Sequence, residues 1–204
     1  MPSTYQELKD AVLAFSNNQV IEQSIDTFID LCEADMSRRI RHWRMEKRSN
    51  ASLDTQYTSL PTDFLEPIRL SVTSGNTSTL TPAGHMEISD RRQKNDNTAG
   101  KPVVYNISDG AIEVFPTPDT AYTLEMIYYG RVDALASSNT VNWILQYYPD
   151  AYLYGTLLHT APFLGMDERL ATWSAFYDRA VETINQDSQN AKFGGTGKIN
   201  IRSY

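Results

Sequence analysis

The feature that most limits the folds open to this chain is a change of hydrophobic period, made twice along its length. In the first and last thirds, apolar residues recur at steps of three and four. In the middle third they alternate with polar ones. The first spacing is that of one helix face, the second that of a half-buried strand. The clearest stripe is Ile21, Ile25, Phe28, Ile29, Cys32, Met36, Ile40 and Trp43, and no Gly or Pro interrupts residues 19–47. That stretch predicts one helix of roughly 43 Å. A shorter stripe, Leu8, Val12 and Phe15, precedes it. Thr4 and Glu7 open that stripe at capping-box spacing, which satisfies backbone donors at a helix start, so a first helix is predicted over 4–15.

From Ala51 the period becomes two. Leu53-Asp54-Thr55-Gln56-Tyr57 and Pro67-Ile68-Arg69-Leu70-Ser71-Val72 alternate, with Leu60-Pro61-Thr62-Asp63-Phe64 as a turn between them. A short hairpin is expected from Leu80 to the Glu87-Ile88 region across Pro82-Ala83-Gly84, then an exposed polar loop over 89–101. Val103 to Ile107 and Ala111 to Phe115 flank Asp109-Gly110. That dipeptide between alternating runs is a strong hairpin signal, because Gly tolerates the positive φ of a tight turn. Tyr122 to Tyr129, closed by Gly130, is the next strand.

Helical spacing returns after Asn142. Pro149 suits the first turn of a helix reaching about Thr160, with Tyr147, Ala151, Tyr154 and Leu158 on its face. Pro162 and Gly165 make a turn, and Asp167 caps a last helix bearing Leu170, Trp173, Tyr177, Ala180 and Ile184. Neither terminal helical pair can bury its stripe alone, so the two should meet. The predicted fold is α+β: a four-helix bundle from both chain ends with an inserted antiparallel β-module of five or six strands. The expected domains are 1–50, an N-terminal helical pair; 51–132, the β-module; 133–190, a helical hairpin completing the bundle; and 191–204, a flexible arm.

A chain of 204 residues buries roughly 70% of its unfolded surface and needs no metal or disulfide to fold. The net charge of −7 argues mildly against a free-standing DNA-binding domain. Cys32 is the sole cysteine and reads as a small buried hydrophobe in a protein made in the cytoplasm. No apolar run is long enough to span a membrane, and the start of the chain lacks the pattern of a secretory signal.

Catalytic signatures are missing. His42, His85 and His159 show no paired ligand spacing. His85-Met86-Glu87 has the first part of a zinc-deaminase motif, but the later cysteine pair is lacking. Gly194-Gly195-Thr196-Gly197 follows a helix and opens none, so it reads as a hinge rather than a phosphate cradle. Asp63, Glu66, Asp109 and Glu113 could supply a carboxylate pair, but nothing selects two of them. No cofactor and no metal are expected, and the chain is not expected to be an enzyme.

Three features remain. Arg38, Arg39, Arg41, Arg44, Lys47 and Arg48 crowd the end of the long predicted helix, opposed only by Glu46. Favourable placement of cations at a helix C-terminus explains two or three of the six; contact with a protein neighbour or with nucleic acid could explain the rest. Tyrosines are dense at Tyr128-Tyr129, Tyr147-Tyr148, Tyr152 and Tyr154. They suit an interface, or equally the joint between bundle and sheet. The tail from Phe193 has a glycine hinge and then the alternating Ile199-Asn200-Ile201-Arg202-Ser203-Tyr204. It suits an arm that adds a strand to a neighbour, or a frayed terminus.

The C-terminal run Tyr148-Pro149-Asp150-Ala151-Tyr152-Leu153-Tyr154-Gly155, then Ala161-Pro162-Phe163-Leu164, then Asp167-Glu168-Arg169-Leu170-Ala171-Thr172-Trp173 resembles head-to-tail adaptor (connector) proteins of short-tailed bacteriophages. The turn Leu60-Pro61-Thr62-Asp63-Phe64-Leu65 is also similar to theirs. The resemblance implies a structural virion protein at the head–tail interface, a homo-oligomeric ring commonly of twelve subunits. It implies docking between the portal protein and the tail nozzle or tail tube, around the DNA exit channel, with transient non-specific DNA contact and no membrane. It brings no catalytic residues. On that reading the interaction candidates are Arg38, Arg39, Arg41, Arg44, Lys47 and Arg48, with Phe193, Ile199, Ile201, Arg202 and Tyr204 in the arm. The alternative is a β-sandwich carbohydrate- or protein-binding module of a phage tail.

Overall fold

The structure is a computed structural model that describes residues 1–94, 98–164 and 168–194. Along the chain come α1 (Tyr5–Ser16), a 3-10 segment (Gln19–Ser24), α2 (Ile25–Arg39), a 3-10 turn (Trp43–Met45), β1 (Glu46–Leu53), β2 (Tyr57–Ser59), β3 (Phe64–Ser74), β4 (Asn76–Thr79) and β5 (Thr81–Pro82). Then follow α3 (His85–Lys94), β6 (Val104–Ser108), β7 (Ala111–Phe115), β8 (Tyr122–Gly130), α4 (Trp143–Tyr147), α5 (Pro149–His159), α6 (Ala161–Leu164) and α7 (Leu170–Phe193). The fold is mixed α+β. Residues fall into two compact units: a helical unit, Met1–Trp43 with Val132–Tyr204, and a β unit, Arg44–Arg131.

In the helical unit, α1 begins as its cap predicts. Thr4 Oγ1 accepts from the Glu7 backbone N–H, and the Glu7 carboxylate accepts from the backbone and hydroxyl of Ser3. Pro149 occupies the first turn of α5, where its missing N–H costs nothing. α5 is the centre of the unit and packs on α1, α2 and α7. Ala151, Tyr152, Leu153, Gly155, Thr156 and Leu157 of α5 are all buried, because a helix surrounded on several sides has no solvent face to reserve for polar residues. The expected single face of Tyr147, Ala151, Tyr154 and Leu158 is therefore corrected: Tyr147 belongs to α4 and is exposed, and Tyr154 and Leu158 are only half-buried.

The β unit holds two four-stranded sheets, with orders β1-β8-β3-β4 and β2-β7-β6-β5. Leu53, Leu70, Val72, Leu124 and Met126 from the first sheet share one core cluster with Ile112 and Val114 from the second. The Asp109-Gly110 hairpin forms as expected, with φ of 49° and 70° and Ser108 opposite Ala111. Pro67 lies in β3 beside a register shift, and β4 pairs only with Ser71 to Ser74. A proline without a ladder donor is tolerated at such a place.

Three expectations fail. The helix predicted over 19–47 ends at Arg39; Ile40 is extended, and β1 begins at Glu46. Residues 46–53 pair in register with β8 along their whole length, a partner that helical periodicity cannot foresee. Residues 85–94 form α3 rather than part of a hairpin and loop. The pairs Glu87–Arg91 and Asp90–Lys94, each at 2.6 Å, brace one turn against the next, and Ile88 anchors the helix to Val104 and Phe115. The described residues carry eight strands, not five or six, and β5 pairs with β6 in parallel. The additional strands β2, β4 and β5 are four residues or shorter, too short for alternation to register. The expected cap Asp167 lies outside the described residues.

Candidate interaction surfaces

The six basic candidates do not share one helix. Arg38 and Arg39 are in the last turn of α2 and Arg41 follows it, whereas Arg44, Lys47 and Arg48 belong to the β unit. Most meet an internal partner. Arg38 lies 3.9 Å from Asp35, Arg39 lies 2.5 Å from Asp178 and 3.6 Å from Asp35, Lys47 lies 2.6 Å from Asp63, and Arg48 lies 2.9 Å from Glu125. Arg41 donates instead to the carbonyls of Ser37 and Ile40 at the helix end. Favourable placement at a helix terminus therefore accounts for Arg38, Arg39 and Arg41, and sheet salt bridges for Lys47 and Arg48. Charges already matched to carboxylates release few counterions from DNA, so tight phosphate binding is not what this arrangement favours. Arg38 is the most accessible of the paired ones, with 72% of its side chain exposed.

Arg39 also stacks over the Tyr177 ring at 5.0 Å. With Asp178, Val181, Glu182, Asn185, Gln186 and Gln189 it lines a depression of about 530 Å³ between the end of α2 and α7. The lining side chains are mostly polar but do not converge as a nucleophile and base would, and the depression is open rather than enclosed. Phe193, at the end of α7, is 63% exposed. Ile199, Ile201, Arg202 and Tyr204 lie outside the described residues.

Of the six tyrosines singled out, Tyr128 and Tyr152 are buried, Tyr129, Tyr148 and Tyr154 half-buried and Tyr147 exposed, and several tyrosines, Tyr5 and Tyr177 included, bond to internal carboxylates. Tyr5 donates to Asp26, Tyr128 to Asp63, Tyr148 to Asp187, Tyr152 to Glu33 and Tyr177 to Asp35, at 2.7–2.9 Å. Burial pushes the Tyr128 hydroxyl up to about 12, and the Asp63 carboxylate it faces adds to that. Glu33 is the centre of one such knot. Its carboxylate accepts from the Tyr152 hydroxyl and from the Leu135 backbone N–H, while Asn142 bonds Tyr152 from the other side. Burial raises the Glu33 carboxyl above its ordinary value, and these neutral donors offset only part of the cost.

In the β unit, sequence reasoning missed the cluster around Glu113. Its side chain is 8% exposed. Oε1 takes Arg92 at 2.7 Å and Gln56 at 3.1 Å, and Oε2 lies 3.7 Å from His85. Burial works to raise this carboxyl, but Arg92 and Gln56 overcome it and hold the group below its ordinary value. Asp63 is likewise held low against burial by Lys47 and Tyr128. A general acid needs the opposite shift, so neither carboxylate is tuned for that half of a hydrolytic pair. His42 is buried and stacked on Trp143, in a different unit from His85. Among the described residues no group of three or more His, Cys, Asp or Glu could hold a metal ion, and no helix is long and apolar enough to cross a membrane.

Residues 3–198 match the family described as SU10 adaptor protein. The chain belongs to the SU10 adaptor protein family, in keeping with its resemblance to phage head-to-tail adaptors. It is thus a phage structural adaptor, and family membership implies a non-enzymatic role. No curated protein matches the chain.

Proposed function

We propose that this adaptor forms a ring, of twelve copies, between the portal protein and the tail nozzle or tail tube, at the head–tail interface of the virion. The protein is made in the host cytoplasm. The ring surrounds the DNA exit channel, with the helices α1, α2, α5 and α7 acting as one bundle in each copy. Arg38, Arg39, Arg41 and Arg44, with Lys47 and Arg48, face protein neighbours, and the arm from Phe193 through Ile199, Ile201, Arg202 and Tyr204 reaches a neighbouring subunit or the portal. DNA contact is transient and non-specific.

The observation that carries this reading is the match to an adaptor family across nearly the whole chain. The charge pattern supports it. A net charge of −7 with most of the basic candidates paired to carboxylates suits a channel past which DNA slides.

The test is a pull-down with the portal protein of the same phage. The full chain is expected to retain the portal, and a chain lacking residues 194–204 is expected to lose it while keeping its far-ultraviolet circular dichroism. Binding kept by the shortened chain would remove the arm from that contact. Failure of the full chain to bind would sink the adaptor ring itself.

A further inference from the structure

A strand can lengthen a sheet only where an edge is open, long and regular. In the β unit the sheet edges are β1, β4, β2 and β5. Three of them are short, of four, three and two residues. β1 is different: eight residues pair with β8 without a register shift, and its other side carries no strand among the described residues. Natural edges are usually blunted by charges or bulges along their length. Here the charges are confined to the ends, at Glu46, Lys47, Arg48 and Asp54, and the centre is Ser49-Asn50-Ala51-Ser52, small and uncharged.

The open edge also borders a hollow. Ser49 and Ala51, on the inward face of β1, line a cavity of about 230 Å³ with Thr58, Ser59 and Leu60 of the second sheet's side and with Leu124 and Met126. Leu53 continues that inward face and is fully buried, whereas Ser49 and Ala51 are too small to fill the space above the core. Two residues on one strand face stand roughly 6.8 Å apart. Any guest strand that pairs with β1 therefore presents two side chains of its own to this hollow.

One segment of the chain has that pattern. Ile199 and Ile201 alternate with Asn200 and Arg202, after Gly194, Gly195 and Gly197. We infer that residues 198–204 of an adjacent copy add a strand to the β1 edge, with Ile199 and Ile201 over the hollow lined by Ser49 and Ala51. This rests on the proposed ring, in which copies meet as neighbours, and it names what the arm grips there.

Disulfide trapping in the full-length chain tests it. Ala51→Cys in one chain and Ile201→Cys in another are mixed and oxidised over a range of concentrations, alone and with the portal protein. The buried Cys32 serves as an internal control. A disulfide-linked pair of chains is expected, severalfold more abundant than for the outward-facing Asn50→Cys mixed with Ile201→Cys. No linked pair in either sample, or equal yields from positions 50 and 51, would each overturn the inference. Portal retention by the unmodified chain is scored separately, so a failed ring and a misplaced arm give different results.

Discussion

Both units bury carboxyl groups, yet they satisfy them with different donors. In the helical unit Glu33 is held by a tyrosine hydroxyl and a backbone N–H, so its charge is solvated but not neutralised, and the group is raised. In the β unit Glu113 and Asp63 meet Arg92 and Lys47 and are lowered. Neutral donors favour the carboxylate too, but at Glu33 they do not outweigh burial, whereas at Glu113 and Asp63 a cation helps to overcome it. Glu33 on one side and Glu113 and Asp63 on the other should therefore respond to acid in opposite senses.

The largest expected effect tests how tightly the helical unit is closed. A Cβ at Gly155 would lie 2.5 Å from Cys32 Sγ and 2.8 Å from a Tyr177 ring carbon, where α2, α5 and α7 converge. Gly155→Val should cost about 3 kcal/mol or more through overpacking, seen as a lower melting temperature by tryptophan fluorescence. Trp43, Trp143 and Trp173 all lie in the helical unit, so this signal reads that unit. An unchanged melting temperature would show that the three helices do not close on this position.

The next effect falls on the β unit. Glu113→Ala leaves Arg92 without its counter-charge and should cost about 2 kcal/mol, less than a fully buried pair because the Arg92 side chain keeps some solvent. Faster hydrogen exchange in β6 and β7 would report it. Protection equal to that of the parent would mean the cluster does not hold the second sheet.

The smallest effect sharpens the contrast in pH. With Glu33 raised, the native state binds the extra proton between the ordinary value of 4.5 and the raised one. The contribution of Glu33 to the stability of the helical unit should therefore fall as pH rises through that window. With Glu113 and Asp63 lowered, their stabilisation is present above 4.5 and 3.8 and is lost as pH falls through their folded values. Glu33→Gln keeps an acceptor for Tyr152 and Leu135 but removes the charge. Its melting temperature should match or exceed the parent's near neutral pH, with the difference shrinking on acidification. A constant difference across that range would place the penalty elsewhere.

Elements that depend on neighbours in sequence were legible. The Thr4 cap, the Asp109-Gly110 turn, Pro149 at a helix start and the strand Tyr122–Gly130 all form where their local chemistry puts them. The end of α2 was not legible, because helical spacing through Trp43 is compatible with a helix and only the β8 partner selects a strand from Glu46. α3 was hidden because its single buried apolar residue, Ile88, leaves no stripe to read. Of the candidate contact residues, Arg38 and Phe193 are exposed, while the pairing of Lys47 and Arg48 could not be read from their positions.

The amino-acid order by itself determined the switch of period, the caps and turns, and an excess of acid over base. Tertiary structure alone decided which groups meet. Arg39 finds Asp178 across 139 positions and Tyr152 finds Glu33 across 119. Period and propensity act over one or two turns of chain, whereas a charge or hydroxyl pairs with whatever the packed helices and sheets bring within about 4 Å.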